Sequence, residues 1–293
     1  MTATDVVARQ QAALLALYRR HVGPGDRYAL VDFPDHANVG DSAIWLGEIA
    51  MLRHVTGRDP DYVASWDRFD MAAFRAASPA GVLFLHGGGN LGDIWRHHQA
   101  FRETMLATVR DRRIVQLPQS IHFRDPAGIA AFGALVAAHP DFHLYVRDRP
   151  GLALAQRHWA CPVDLAPDSA FALGRQARGV ADCDLLMLMR TDDERVAHDP
   201  VAGDAVILDW LDDGPLPERR AGETRAGHCE RLAAARVNRG LALLSRGRRV
   251  VTDRLHAHIL CLLLDIPHVA LDNDYGKLSA YIAAWTADSP LLA

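Results

Sequence analysis

One repeating unit constrains this chain more than any other feature. A short apolar run is followed by a Gly-rich or polar turn and then by a segment of helical period. Residues 28–33 (YALVDF) read as a strand, the turn PDHANVGD follows, and a helix spans Ser42 to about His54. Residues 81–85 (GVLFL) lead into HGGGNLGD and a helix covering 101–109. Residues 113–117 lead to Pro-Gln-Ser, 142–146 to RDRP and a helix near Gly151, and 162–165 to PDSAF. After Leu173 the chain turns polar (GRQARGVADCD) and a second series begins. Its expected strands are 185–189, 205–208, 249–251 and 267–271, with helices over 229–244, from TDRLH to about Leu264, and at the C-terminus. Strands alternating with helices predict parallel βαβ units. The expected fold is therefore α/β, with two Rossmann-like domains, 1–174 and 175–293, facing a cleft lined by polar turns at strand C-termini.

Composition narrows the function class. The 293 residues are 49% apolar and 23% charged, which argues against disorder. The net charge of −4 gives no electrostatic case for nucleic acid or an anionic membrane as partner. Cys161, Cys183, Cys229 and Cys261 lie far apart, as reduced thiols in a cytoplasmic protein would. Arg9, Gln10 and Gln11 interrupt any signal-peptide core, and the most apolar stretch, 259–266, is too short to span a bilayer.

The turns carry the candidate chemistry. In HANVGD, Asn38 and Gly40 tolerate positive φ, and Asp41 or Ser42 can cap the next helix. HGGGNLG holds the G-x-G-x-x-G spacing, but the next strand ends in Leu-Pro-Gln-Ser instead of an acidic residue, which argues against a dinucleotide. Gly88 and Gly89 then let backbone approach a polar ligand, with Asn90 and Asp93 projecting. Gln119 and Ser120 offer hydrogen bonds, Arg147 offers a cation or a salt bridge to Asp148 or Asp168, and Asp168 can cap its successor segment. In VVTDRLHAHILCLLL, Thr252 or Asp253 caps a helix with a buried stripe of Leu255, Ile259, Leu262 and Leu263. Arg254 and His256 in its first turn make an anion site with a proton donor, or else a surface Arg beside a packed His. His258 lies about 200° around that helix and serves something else. Lys277 is the single lysine of the chain and starts the last helix. Trp95 and Trp210 are candidates for stacking on a sugar, although core packing explains them as well. No spacing suggests a metal site.

Taken together, NVGDSAI (38–44), LHGGGNLGD (85–93), LPQSI (117–121), VRDR (146–149), PDSAF (167–171), the stretch 252–273 and YGK (275–277) resemble the polysaccharide pyruvyl transferase family. The resemblance implies a glycosyltransferase-B-like architecture, with pyruvate passing from phosphoenolpyruvate to a sugar as a ketal and no cofactor. Arg254, Arg190 and Lys277 would bind the donor and His256 would move the proton. Asn38, Asp41, Gly88, Gly89, Asn90, Asp93, Gln119, Ser120, Arg147 and Asp168 would line the acceptor side. The partners implied are phosphoenolpyruvate and a sugar or lipid-linked oligosaccharide, met at the inner membrane through the acceptor. The region 212–248 matches none of these motifs. A nucleotide-sugar glycosyltransferase of the same architecture is the competing enzyme reading, and a silent glycan- or anion-binding protein is the non-enzymatic one.

Overall fold

The computed structural model describes residues 2–191, 204–272 and 276–293. Asn273, Asp274 and Tyr275, which precede Gly276 and Lys277 in the sequence, lie outside the described residues. The chain forms α1 (Ala3–Arg19), β1 (Tyr28–Val31), α2 (Val39–Thr56), β2 (Tyr62–Ala64), α3 (Met71–Ala77), β3 (Val82–Leu85), β4 (Gly88–Gly92) and α4 (Arg96–Thr108). It continues through β5 (Ile114–His122), α5 (Pro126–Ala138), β6 (Phe142–Val146), α6 (Arg149–His158), β7 (Val163–Leu165) and a 3₁₀ turn, Ser169–Leu173. Then come β8 (Cys183–Leu188), β9 (Val206–Leu208), α7 (Arg225–Ser245), β10 (Gly247–Thr252), α8 (Leu255–Leu264), β11 (His268–Ala270) and α9 (Lys277–Trp285).

The strands make two sheets, parallel throughout among the described residues. The first has the order β2-β1-β3-β5-β6-β7, with β4 attached to β5, and the second has the order β11-β10-β8-β9. In the first sheet the chain steps from β1 to β2 and then back to β3 on the other side of β1. In the second it steps from β8 to β9 and back to β10 beside β8. Each reversal opens a crevice at the strand C-termini, where ligands of open α/β sheets bind.

Two cores flank the first sheet. Tyr28, Leu30, Phe84, Val115 and Leu117 point to one face, while Ala29, Val31, Leu83, Leu85 and Ile114 point to the other. The two-residue period of the strand explains this alternation. The second face is covered by Phe74, Met105, Phe132 and Ala155 from α3, α4, α5 and α6. The first face meets α1 and α2, and that core runs on into α7 and α8 of the second sheet.

This shared core corrects one expectation. Every residue of α8, Leu255 to Leu264, is buried, so the helix has no solvent side opposite a Leu stripe. A helix wedged between two layers is apolar all round. Two more readings shift. The Gly-rich segment after β3 pairs as β4 instead of remaining a turn, and LPQS belongs to β5. The amphipathic α1, absent from the strand–helix pattern, packs on α2. The last helix crosses back to the first sheet: Tyr281 Oη accepts from the Asp168 N–H at 3.1 Å, and Trp285 Nε1 donates to the Arg147 carbonyl at 2.9 Å. No helix among the described residues is long and apolar enough to cross a membrane.

Candidate active site

The end of β10 and the start of α8 build the centre of the site. Thr252 Oγ1 donates to the Leu188 carbonyl at 2.7 Å and accepts the Arg254 N–H at 3.1 Å. Asp253 accepts the Arg190 N–H at 2.8 Å. Neither side chain caps α8, whose N-cap residue is Arg254. Arg254 is buried, not a surface residue, and its Nε and Nη2 each donate to Asp209 at 2.7 Å. Its guanidinium also lies 5.8 Å from the Trp210 ring. Burial would raise the Asp209 carboxyl, but the bonds from Arg254 and Thr191 hold it below the usual range. A cation fixed in this way holds its position before any ligand arrives.

His256 stands two residues further along. Its Nε2 bonds Asp168 Oδ2 at 3.2 Å. The same oxygen accepts from Arg147 Nη1 at 2.5 Å, and Asp168 Oδ1 accepts the Ala170 N–H at 2.9 Å. Burial favours a protonated Asp168, but His256 and Arg147 overrule it and keep the carboxyl well below the usual range. Gly40, in the first turn of α2, explains how the ring reaches this position. A Cβ there would lie 2.2 Å from His256 Nδ1, so only glycine lets the helix start approach the imidazole. Gly40 is therefore demanded by close approach and not by positive φ, since its φ is not in the left-handed region.

Gly89 plays a similar part. A Cβ there would fall 2.7 Å from Lys277 Nζ and 2.9 Å from Arg147 Nη2. Arg147 is fully buried, its Nε donates to Ser120 Oγ at 2.9 Å, and its Nη2 finds no partner among the described residues. Two cations thus converge above a bare stretch of backbone, with a buried N–H left over. That arrangement suits an anionic ligand group.

A cleft of about 360 Å³ lies over these groups. Asn38, Asp41, Gly89, Asn90, Arg147, Arg190, Arg254, His256 and Lys277 all line it, so the structure brings nine of the expected residues together. Five others do not line it. Asp168 and Ser120 lie behind and hold Arg147 and His256. Gln119 donates to the His86 carbonyl at 3.0 Å and to Asn90 Oδ1 at 2.9 Å, fixing Asn90 from beneath. Gly88 takes φ 124° within β4. Asp93 is turned away, accepting the N–H groups of Arg124 and Asp125 ahead of α5. The α2 cap is Asn38, whose Oδ1 accepts the Gly40 N–H at 3.1 Å, and not Asp41 or Ser42. Asp41 accepts instead from Asn38 Nδ2 at 2.8 Å and faces the cleft.

Sequence reasoning missed His36, His97, His98 and Leu211, which also line the cleft beside Trp95 and Trp210. The Trp-Arg-His-His cluster at 95–98 was the available signal. The region 212–248 forms a strut beside these residues: Arg236 donates to the Pro34 carbonyl at 3.2 Å, and Arg239 to the Ala37 carbonyl at 2.7 Å. Those bonds hold the loop that carries His36. Among the described residues, no three His, Cys, Asp or Glu side chains are grouped to hold a metal.

Comparison with known proteins adds to this geometry. A profile of the family described as polysaccharide pyruvyl transferase matches residues 38–275. Pyruvyl transferase 1 of Schizosaccharomyces pombe is 31% identical over 94% of this chain and 74% of its own length. EpsO of Bacillus subtilis, named as a candidate pyruvyl transferase, is 28% identical over 88% of this chain and 85% of its own. A solved structure of a functionally uncharacterised Klebsiella pneumoniae protein superposes with a TM-score of 0.61, covering 100% of this chain and 98% of that one at 17% identity. That last likeness concerns the fold alone.

Proposed function

This chain belongs to the polysaccharide pyruvyl transferase family, and from that premise we propose that it moves pyruvate from phosphoenolpyruvate to a saccharide, forming a ketal. One observation carries the donor assignment: an imidazole anchored by a carboxylate opens onto the same cleft as Arg147, Lys277, Arg190 and Arg254. Phosphoenolpyruvate carries a phosphate and a carboxylate, and each charge-assisted contact to such a group contributes about 1.5–3 kcal/mol. Its methylene carbon must gain a proton before C2 accepts an oxygen nucleophile. Asp168 bonds Nε2 of His256 and fixes the ring at the cleft, where the imidazole is the group placed to deliver that proton.

In this reading the architecture is glycosyltransferase-B-like, with 1–174 as the acceptor-side unit and 175–293 as the donor-side unit. Arg147 modifies that division, because it belongs to the first unit and yet converges with Lys277 of the second at Gly89. The acceptor is a sugar or lipid-linked precursor, met in the cytoplasm at the inner membrane. The test is phosphate release from phosphoenolpyruvate by the purified chain, with and without lipid-linked oligosaccharide. Acceptor-dependent release with a heavier, acid-labile glycan product is expected. Silence with phosphoenolpyruvate, alongside turnover of a nucleotide sugar, would replace this reading by a glycosyltransferase.

A further inference from the structure

A second carboxylate–imidazole pair opens onto the same cleft. Asp32, the residue after β1, takes φ 70°, a left-handed conformation that costs free energy for any residue with a Cβ. That turn aims its carboxylate at His98 of α4, whose Nδ1 lies 2.8 and 3.0 Å from the two oxygens. Asp32 is 2% exposed and His98 6%, and His98 lines the cleft. Burial would raise the Asp32 carboxyl, but His98, Arg102 and His86 hold it below the usual range. His97 and His36 flank the His98 ring at 4.3 and 6.5 Å between centroids. With Nδ1–H given to a carboxylate, Nε2 is left as an acceptor. A strained turn at a sheet's reversal point, spent on fixing one tautomer, is more than packing requires.

We propose that His98, positioned by Asp32, is the base that takes the proton of the attacking acceptor hydroxyl, while His256 serves the donor. This inference rests on the pyruvyl-transfer reading. In the first step the hydroxyl O–H breaks, its proton goes to His98 Nε2, and its oxygen bonds C2 of phosphoenolpyruvate. The C2–methylene π pair meanwhile takes a proton from His256, making a methyl group. In the second step the C2–O bond to phosphate breaks, the pair leaves on phosphate, and phosphate takes the proton from His98. The second hydroxyl oxygen bonds C2 and its proton returns to His256. Both imidazoles end as they began, and of the two hydroxyl protons one resides in the methyl group and one on phosphate.

The experiment compares wild type, His98→Ala and Asp32→Asn in acceptor-dependent phosphate release, in the rise in Tm caused by phosphoenolpyruvate, and in rescue by imidazole. His98→Ala should lower kcat by about 10²- to 10⁴-fold, keep the donor-induced rise in Tm, and recover turnover with added imidazole. Asp32→Asn keeps a residue that tolerates positive φ and should fold while losing kcat, because the tautomer is no longer fixed. Full turnover in His98→Ala, or a loss that imidazole leaves untouched, overturns the proposal. If His98→Ala does not fold, Asp32→Asn decides, and an unchanged kcat there overturns it. A wild type that releases no phosphate from phosphoenolpyruvate with any saccharide fails earlier and sinks the underlying reading as well.

Discussion

At the scale of the residue, Gly40 and Asp168 govern how His256 is held. Gly40→Ala puts a methyl group 2.2 Å from the ring nitrogen, and the ring must move. Alanine gains about 0.5–1 kcal/mol of helix propensity, against an overpacking cost of about 1–3 kcal/mol. Urea unfolding should therefore show a loss near 1 kcal/mol, whereas kcat should drop by about 10²-fold, the usual penalty for a catalytic group displaced by an ångström. A wild-type kcat in the folded variant would separate His256 from the chemistry. Asp168→Ala tests the other side of the ring. It leaves the buried Arg147 guanidinium without its carboxylate, at a cost of about 3–5 kcal/mol. Denaturant titration of Asp168→Ala should show that loss, and a midpoint equal to wild type would mean that Arg147 finds another partner.

At the scale of the element, α2 and α7 are the pair on which the cleft depends. Gly240 in α7 lets the two helices close: a Cβ there would lie 2.3 Å from Val39 Cγ1 in the first turn of α2. Val39 adjoins Asn38 and Gly40, so any shift of this contact reaches the cleft. Gly240→Ala should destabilise by about 1–3 kcal/mol and raise KM for both substrates. An unchanged KM in a destabilised variant would confine Gly240 to packing. The element boundaries show where sequence reasoning succeeds. Strands such as β1 and β3 stand out because both faces are buried and their apolar runs are continuous. The first helix, α1, escaped notice because its polar face breaks the apolar pattern and no strand precedes it. β4 escaped because a Gly-rich run carries no side-chain periodicity, and its place in the sheet is set by β5.

At the scale of the whole molecule, buried imidazoles tie stability to pH. Burial drives the His21 ring from its usual 6.5 to about 4. Burial, with His268 beside it, drives His258 well below its usual value. Such rings stay neutral in the folded chain while the unfolded chain takes protons as pH falls through about 6.5. The unfolded state then binds more protons, and stability is lost on acidification. Asp168 and Asp32, held low, act in the same sense as pH falls through their folded values. His86 acts oppositely: burial would lower it, but Glu48 raises it, so its contribution is lost as pH rises. The expected net result is a Tm that falls steadily from about pH 7 to pH 5, with a shallower fall in His258→Gln. A flat profile in wild type would show that the buried rings are compensated elsewhere.

What the sequence determined by itself was the alternation of strand and helix, the family, and the short polar segments at strand ends that line the cleft. These are local facts, because a strand, a turn and a helix start are each written in a few consecutive residues. Tertiary structure alone decided which of those segments meet. Asp168 and His256 lie 88 positions apart, and Asp32 and His98 lie 66 apart. No spacing rule links either pair: Asp32 and His98 meet beside the strand-order reversal of the first sheet, and Asp168 and His256 meet where the chain after β7, the edge strand of the first sheet, faces the start of α8 from the second. It likewise decided that Gly40 and Gly89 matter for the atoms opposite them and not for their own φ. The absence of a side chain acquires meaning only when the neighbouring element is in place.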